Sequence, residues 1–181
     1  METVYLETSF VSLLVADPSR ELITAANQQV TRDWWHFRRE EFRCVASAEV
    51  VREARAGDPE QARRRLEILD KLTLLTVTPE ANKLMLALLA TGALPPRAQS
   101  DAAHLAIAVA AQVNYLLTWN CRHLANAQIL NRLEAATQRL GCTLPKVCTP
   151  FELMGEYAYG TGPDLEGTLG DKGPAGAGSG L

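Results

Sequence analysis

The residue pattern predicts an α/β fold, a three-layer α/β/α arrangement around a mainly parallel sheet of four to five strands. Three observations carry this. Short strand-like runs alternate with stretches of helical periodicity along the chain. Strands separated in this way need right-handed crossovers, which put helices on both faces of the sheet. The run "YLLT" at 115–118 is almost wholly apolar, as a strand covered on both faces should be.

Taken in order, "TVYLE" is the first strand, and helical periodicity follows from Ser9 to Val15. Asp17-Pro18-Ser19 interrupts the pattern before a long amphipathic helix, "ELITAANQQVTRDWWHFRRE". "FRCVA" is the second strand, and Ser47 stands where it can cap the helix "AEVVREARA". Gly57-Asp58-Pro59 is a turn that opens "PEQARRRLEILDKL", since proline suits the first helical position. "TLLTV" is the third strand, after which Thr78 caps and Pro79 opens "PEANKLMLALLA". Ser100 is the expected cap of "DAAHLAIAVAAQV", which leads into "YLLT" as the fourth strand. "PKVCTP" supplies a short fifth, and no element is assigned between Thr118 and Pro145.

The 181 residues suit one domain with a single core. Eight of the twelve glycines fall after Tyr157, where large apolar residues are scarce. Such a segment buries too little surface to offset its ordering entropy, so residues 1–156 form the expected domain and 157–181 a flexible tail. The formal net charge of −3 gives no global positive field for nucleic acid, although a local basic face remains open. The runs "HFRRE" and "QARRRLE" are such faces or ordinary solvated helix surfaces. Cys44, Cys121, Cys142 and Cys148 form neither a CxxC pair nor a zinc spacing. With no secretory leader pattern, reduced thiols and a cytoplasmic setting are expected. The longest apolar run, "LMLALLATGAL", is too short and too interrupted to span a bilayer.

Ligands of open parallel sheets sit beyond the carboxyl ends of the strands, so the polar residues there matter most. Glu7 follows the first strand, and Glu49 and Glu53 lie one turn apart on the helix after the second. Asp101 opens the helix before the fourth strand, and Asn120 follows that strand. Singly, each has a plain reading: Glu7 and Asp101 as acids at helix amino termini, Glu53 as an ion-pair partner. Together, converging carboxylates repel unless a cation lies among them, and hard oxygen ligands suit Mg²⁺ or Mn²⁺.

These residues carry a resemblance. "VYLETSFVSLL" resembles the opening "YLDTS" strand of PIN domains, and "VASAEVVREARAGD" resembles their second motif, with an acid four residues before a glycine. That spacing selects Glu53, with Gly57 as its glycine, and leaves Glu49 as the alternative acid. "SDAAHLAIAVAAQVNYLLTWNCRHLANA" is similar to the third block and "CTPFELM" to the carboxyl-terminal "TPEEL". The nearest group is the VapC-like toxins of toxin–antitoxin pairs. The resemblance implies a metal-dependent ribonuclease with Glu7, Glu53 and Asp101 as metal ligands and Asn120 in the fourth catalytic position. It implies one or two Mg²⁺ (or Mn²⁺) activating water for in-line attack on an RNA phosphodiester, a cognate antitoxin and a homodimer.

Two departures stand out. Glu7 occupies a position where aspartate is usual, which carries the carboxylate about 1.5 Å further out. Asn120 replaces a common fourth acid and removes one negative charge, so weaker metal binding is expected. Around the cluster, Thr8 and Ser9 cap the helix, hydrogen-bond Glu7 or meet phosphate, and Thr118, Arg122 and His123 are candidate substrate contacts. His104, at i+3 from Asp101, is either a proton shuttle or a structural hydrogen-bonder. Trp119 either stacks on a base or packs on the sheet edge. The helix segment "NQQVTRDWWHFRRE" is either core, the wall of a partner groove or a homodimer face. Two other readings remain: a PIN-like binding module with weak or lost cleavage, and an unrelated enzyme of phosphorylated small molecules. Against the last stands the lack of a glycine-rich phosphate loop.

Overall fold

The computed structural model describes residues 1–155, so the glycine-rich tail expected at 157–181 lies outside them. Five strands form one parallel sheet: β1 (Thr3–Leu6), β2 (Arg43–Ser47), β3 (Thr73–Leu75), β4 (Tyr115–Leu117) and β5 (Lys146–Cys148). Their order is β3-β2-β1-β4-β5, with Val4 opposite both Cys44 and Tyr115, and Tyr5 opposite Val45 and Leu116. In the central strand Val4, Tyr5 and Leu6 are all fully buried, as are Leu116 and Leu117 beside them. That is the burial a strand covered on both faces requires.

Helices α1 (Thr8–Val15), α2 (Leu22–Phe37), α3 (Ala48–Ala54) and α4 (Pro59–Leu69) pack among themselves. A second group comprises α5 (Pro79–Ala90), α6 (Gln99–Ala110) and α7 (Ala127–Arg139). The first group connects β1 to β2 to β3 in one direction and the second returns the chain to β4 and β5. Right-handed crossovers therefore put the groups on opposite faces. Phe10 of α1 and Trp34 of α2 meet edge to face at 5.4 Å between centroids, and Trp34 is fully buried. Trp34 thus belongs to the core, where its indole N–H donates to the Leu153 carbonyl at 3.2 Å.

Several caps form as the residues dictate. The Asp58 side chain accepts the Gln61 N–H ahead of Pro59, and Thr78 accepts the Ala81 N–H ahead of Pro79. Gly57 supplies the positive φ, +87°, that lets α3 turn into α4.

Three elements differ from expectation. The long helix stops at Phe37 instead of Glu40, and a short 3-10 turn at Arg39–Glu41 follows. The chain must bend there to bring the Arg43 N–H onto the Glu2 carbonyl and begin β2. Helix α6 begins at Gln99 and has no side-chain cap, because the Ser100 hydroxyl turns to two carboxylates on α3. Helix α7 fills a stretch to which no element was assigned. Asn126 caps it by accepting the Gln128 and Ile129 N–H groups, while Ile129, Leu133 and Ala136 face the core at helical spacing.

The strand order reverses beside β1, since the chain leaves it toward β2 and comes back to its other side as β4. A crevice opens beyond the carboxyl ends of strands at such a point. Glu7 and Thr118 are the first residues past β1 and β4, and the Glu7 N–H extends the ladder to the Leu117 carbonyl at 3.1 Å.

Candidate metal centre

Glu7 is held in extended backbone as the N-cap of α1, its side chain accepting the Ser9 N–H at 3.0 Å. The same oxygen, Oε2, accepts the Ser9 hydroxyl and, at 2.8 Å, the Thr118 hydroxyl. The helix-cap reading of Glu7 therefore holds, yet it engages one oxygen only. Oε1 accepts no hydrogen bond from any described group, although the residue is only 6% exposed. His104 Nε2 is 3.9 Å from that oxygen, beyond hydrogen-bond distance, so its lone pairs remain available to water or a cation in the crevice.

Glu53, on α3, meets it from the second strand's side. Its Oε2 accepts the Thr8 hydroxyl and lies 3.0 Å from His104 Nε2, and its Oε1 accepts the Ser100 hydroxyl. Burial pushes the Glu53 carboxyl up, but bonds from His104, Ser100 and Thr8 outweigh it and hold the group down at about 2. Glu53 is therefore ionised at neutral pH.

His104 is 1% exposed and belongs to α6. Its Nδ1 lies 2.8 Å from the Tyr5 hydroxyl, which in turn meets the Ser47 hydroxyl at 2.7 Å. Burial disfavours the imidazolium, yet the bond to Glu53 and the charges of Glu7, Glu53 and Glu49 raise its pKa above the ordinary value. Burial likewise raises the Tyr5 phenol well above its usual range. One ligand atom each from Glu7, Glu53 and His104 lie within 4.8 Å of one another.

Asp101 stands apart from that trio, in a second cluster. Its Oδ1 accepts the Asn120 amide at 2.7 Å, and its Oδ2 lies 2.8 Å from His123 Nδ1. Asn120 Oδ1 accepts the His123 N–H at 3.2 Å, so the amide orients an acid and a loop together. The clusters are joined through Thr118, whose hydroxyl donates to Glu7 and accepts the Asn120 N–H at 2.9 Å.

The remaining sequence candidates fall around this frame. Thr8 and Ser9 direct their hydroxyl protons to Glu53 and Glu7, so those protons do not point at solvent. Glu49 sits at the rim, held in a fork by Arg52 and touched by Ser100 at 2.8 Å. The Arg52 hydrogen bonds lower its pKa. Arg122 is exposed and makes no ion pair among the described residues. Trp119 packs inward, its indole N–H donating to Thr31 on α2 at 2.7 Å. Tyr5, Ser47 and Ser100 are participants that the sequence did not mark for the site. Only Ser47 and Ser100, at helix starts, carried a local signal.

The donor set fits a hard divalent cation. Two carboxylates at close range, one with an oxygen that accepts no hydrogen bond, suit Mg²⁺ or Mn²⁺.

No family model matches the chain, and no curated protein matches it. Among solved structures the fold is similar to a chain of VapBC2 from Rickettsia felis, crystallised bound to a DNA fragment from their promoter. The TM-score is 0.53 at 13% sequence identity, covering 81% of this chain and 98% of that chain. At that identity the likeness shows a shared fold. No helix among the described residues is long and apolar enough to cross a membrane.

Proposed function

We propose that the chain is a metal-dependent endoribonuclease of PIN type, the toxin partner of a cognate antitoxin. The observation that carries this reading is the convergence of the Glu7 and Glu53 carboxylates, with Glu7 Oε1 uncommitted, at the switch point of a parallel sheet. The likeness to a VapBC2 chain supports the fold side of it.

In this reading Glu7 and Glu53 hold Mg²⁺ or Mn²⁺, and Asp101, bound here to Asn120 and His123, is the proposed third ligand. When bound, the metal activates water and offsets charge developing on the phosphodiester. The chain's own residues do the rest. Thr8, Ser9, Thr118 and Ser100 fix the carboxylates through hydroxyl bonds, so little reorganisation is needed when the cation enters. His104 holds Glu53 from the buried side. If Nε2 carries the proton, Tyr5 donates to Nδ1 and Ser47 donates to Tyr5, a consistent chain of single donors. Asn120 holds Asp101, and the exposed Arg122 is available for a backbone phosphate.

A second reading, a PIN-like binding module with weak cleavage, draws on the same geometry. Glu53 has donors on both oxygens, and Asn120 supplies no charge. An RNA cleavage assay with Mg²⁺ and Mn²⁺ separates the two. The nuclease reading expects divalent-dependent cutting that falls at least about a hundredfold in Glu53→Gln and Asp101→Asn. Cutting that survives both substitutions, or none with any metal and RNA, leaves the module reading standing.

A further inference from the structure

Helices α3, α5 and α6, with Val77 just ahead of α5, line an open cavity of about 260 Å³ beside the carboxylates. Its apolar walls are Val77, Met85, Ala103 and Ile107, and its rim carries the amides of Asn82 and Gln99. Glu49, Arg52 and Ser100 close the side that faces the site. The Ser100 hydroxyl is the shared element, since it touches Glu49 inside the cavity wall and Glu53 in the carboxylate cluster.

The lining selects the chemistry of an occupant. Only Glu49 and Arg52 are charged, and they neutralise each other: Arg52 Nε donates to Glu49 Oε2 at 2.9 Å while Nη2 donates to Oε1. The acid is therefore not free to attract a second cation, and the fork facing Glu49 is not free for a phosphate. Asn82 and Gln99 are exposed, and their amides have no hydrogen-bond partner among the described residues. Each offers a carbonyl acceptor and an NH₂ donor. The volume is just below the range of about 300–1,000 Å³ usual for drug-sized ligands, which suits one flat ring system. A planar guanidinium–carboxylate pair and a methionine are good stacking surfaces for such a ring.

We propose that this cavity is a nucleobase pocket, which seats the base next to the scissile phosphate of a single-stranded RNA and sets sequence preference at that position. The proposal rests on the nuclease reading for its substrate, and it goes beyond that reading by naming where the RNA base is read. Single-stranded RNA is commonly recognised by stacking of a splayed-out base with hydrogen bonds to its edge. The edge contacts here come from Asn82 and Gln99, and Arg52 supplies the stacking face.

Two measurements test it together. The first compares cleavage of a randomised single-stranded RNA pool by the wild type and by the Asn82→Ala/Gln99→Ala double variant. Both positions are exposed, so the fold is preserved. The expected result is a preference at one position beside the cut that flattens at least about tenfold in the variant, as cutting of the preferred sequence falls toward that of the others. The second uses photocrosslinking of oligonucleotides carrying a single iodouridine at successive positions, which reads contact without cleavage. Adducts within 77–85 or 99–107 are expected from one position only.

Cleavage whose preference is unchanged in the double variant, with adducts elsewhere, overturns the pocket and leaves the nuclease reading intact. Adducts in the pocket without any cleavage remove the nuclease reading and with it the place beside a scissile phosphate, which overturns the proposal and leaves a base-binding cavity. Neither cleavage nor adducts removes both. Loss of a protein partner in the double variant, without RNA adducts, also overturns the proposal by giving the cavity a protein occupant.

Discussion

The Ser9 N–H and two hydroxyls fasten one oxygen of Glu7, and those bonds decide where the other oxygen lies. A shorter acid at this position still caps the helix, because aspartate is among the preferred N-cap residues. It draws the free oxygen back by about 1.5 Å, beyond the roughly 0.5 Å tolerance of a working constellation. Glu7→Asp is therefore expected to keep the fold at a cost of about 1 kcal/mol in a urea melt, yet weaken Mn²⁺ binding at least about tenfold by calorimetry. Equal affinity in the two proteins contradicts the assignment of Oε1. The pH dependence also belongs to single residues. Glu53 has its pKa held down to about 2, so its contribution is present above its ordinary value and is lost as pH falls toward about 2. His104 has its pKa raised, so its contribution is full below about 6.5 and is lost as pH rises through the folded value. The metal-free protein is then expected to be most stable between about pH 4.5 and 6.5, with the alkaline decline reduced in His104→Gln. Thermal melts of both proteins across pH measure this, and identical alkaline slopes contradict it.

At the scale of elements, the caps separate structural from functional roles. Thr78 caps α5 and makes no bond to the Tyr5–His104 chain, whereas Ser47 caps α3 and also meets the Tyr5 hydroxyl behind His104. Alanine at either position is expected to cost about 1 kcal/mol in chemical denaturation. Only Ser47→Ala should also shift the His104 titration observed by NMR, because only it alters the chain ending at Nδ1. A shift in both or in neither contradicts that division. The elements also show what local pattern can reveal. Glu7 after a strand and Glu53 four residues before Gly57 were legible, since each depends on a few neighbouring residues. Ser100 was misassigned because its hydroxyl answers to carboxylates about fifty residues earlier, a contact that only the packing of α3 on α6 creates. His104 was marked only as a shuttle or a structural bonder, and its place in the trio depends on the same packing. Asp101 was grouped with the other acids, although the structure binds it to Asn120 and His123. Helix α7 carries a local signal as well, an Asn126 cap ahead of apolar residues at helical spacing.

For the whole molecule, topology does most of the work. Reversal of strand order beside β1 puts the ends of β1 and β4 side by side, and right-handed crossovers deliver α1 and α3 on one face and α6 on the other. Acids from residues 7 and 53 and the imidazole of residue 104 meet only because of that arrangement. The similarity to a VapBC2 chain at 13% identity fits a fold held by hydrophobic pattern and strand order while side chains vary. The central claim is that the uncommitted oxygen of Glu7 and the Glu53 carboxylate bind a hard divalent cation together. A crystal soaked in Mn²⁺ and measured by anomalous diffraction tests it most directly. The account predicts a peak at about 2.0–2.6 Å from a carboxylate oxygen of each residue, abolished in Glu53→Gln. Crystals soaked to saturation with no peak there, or with an equal peak in the variant, would contradict it.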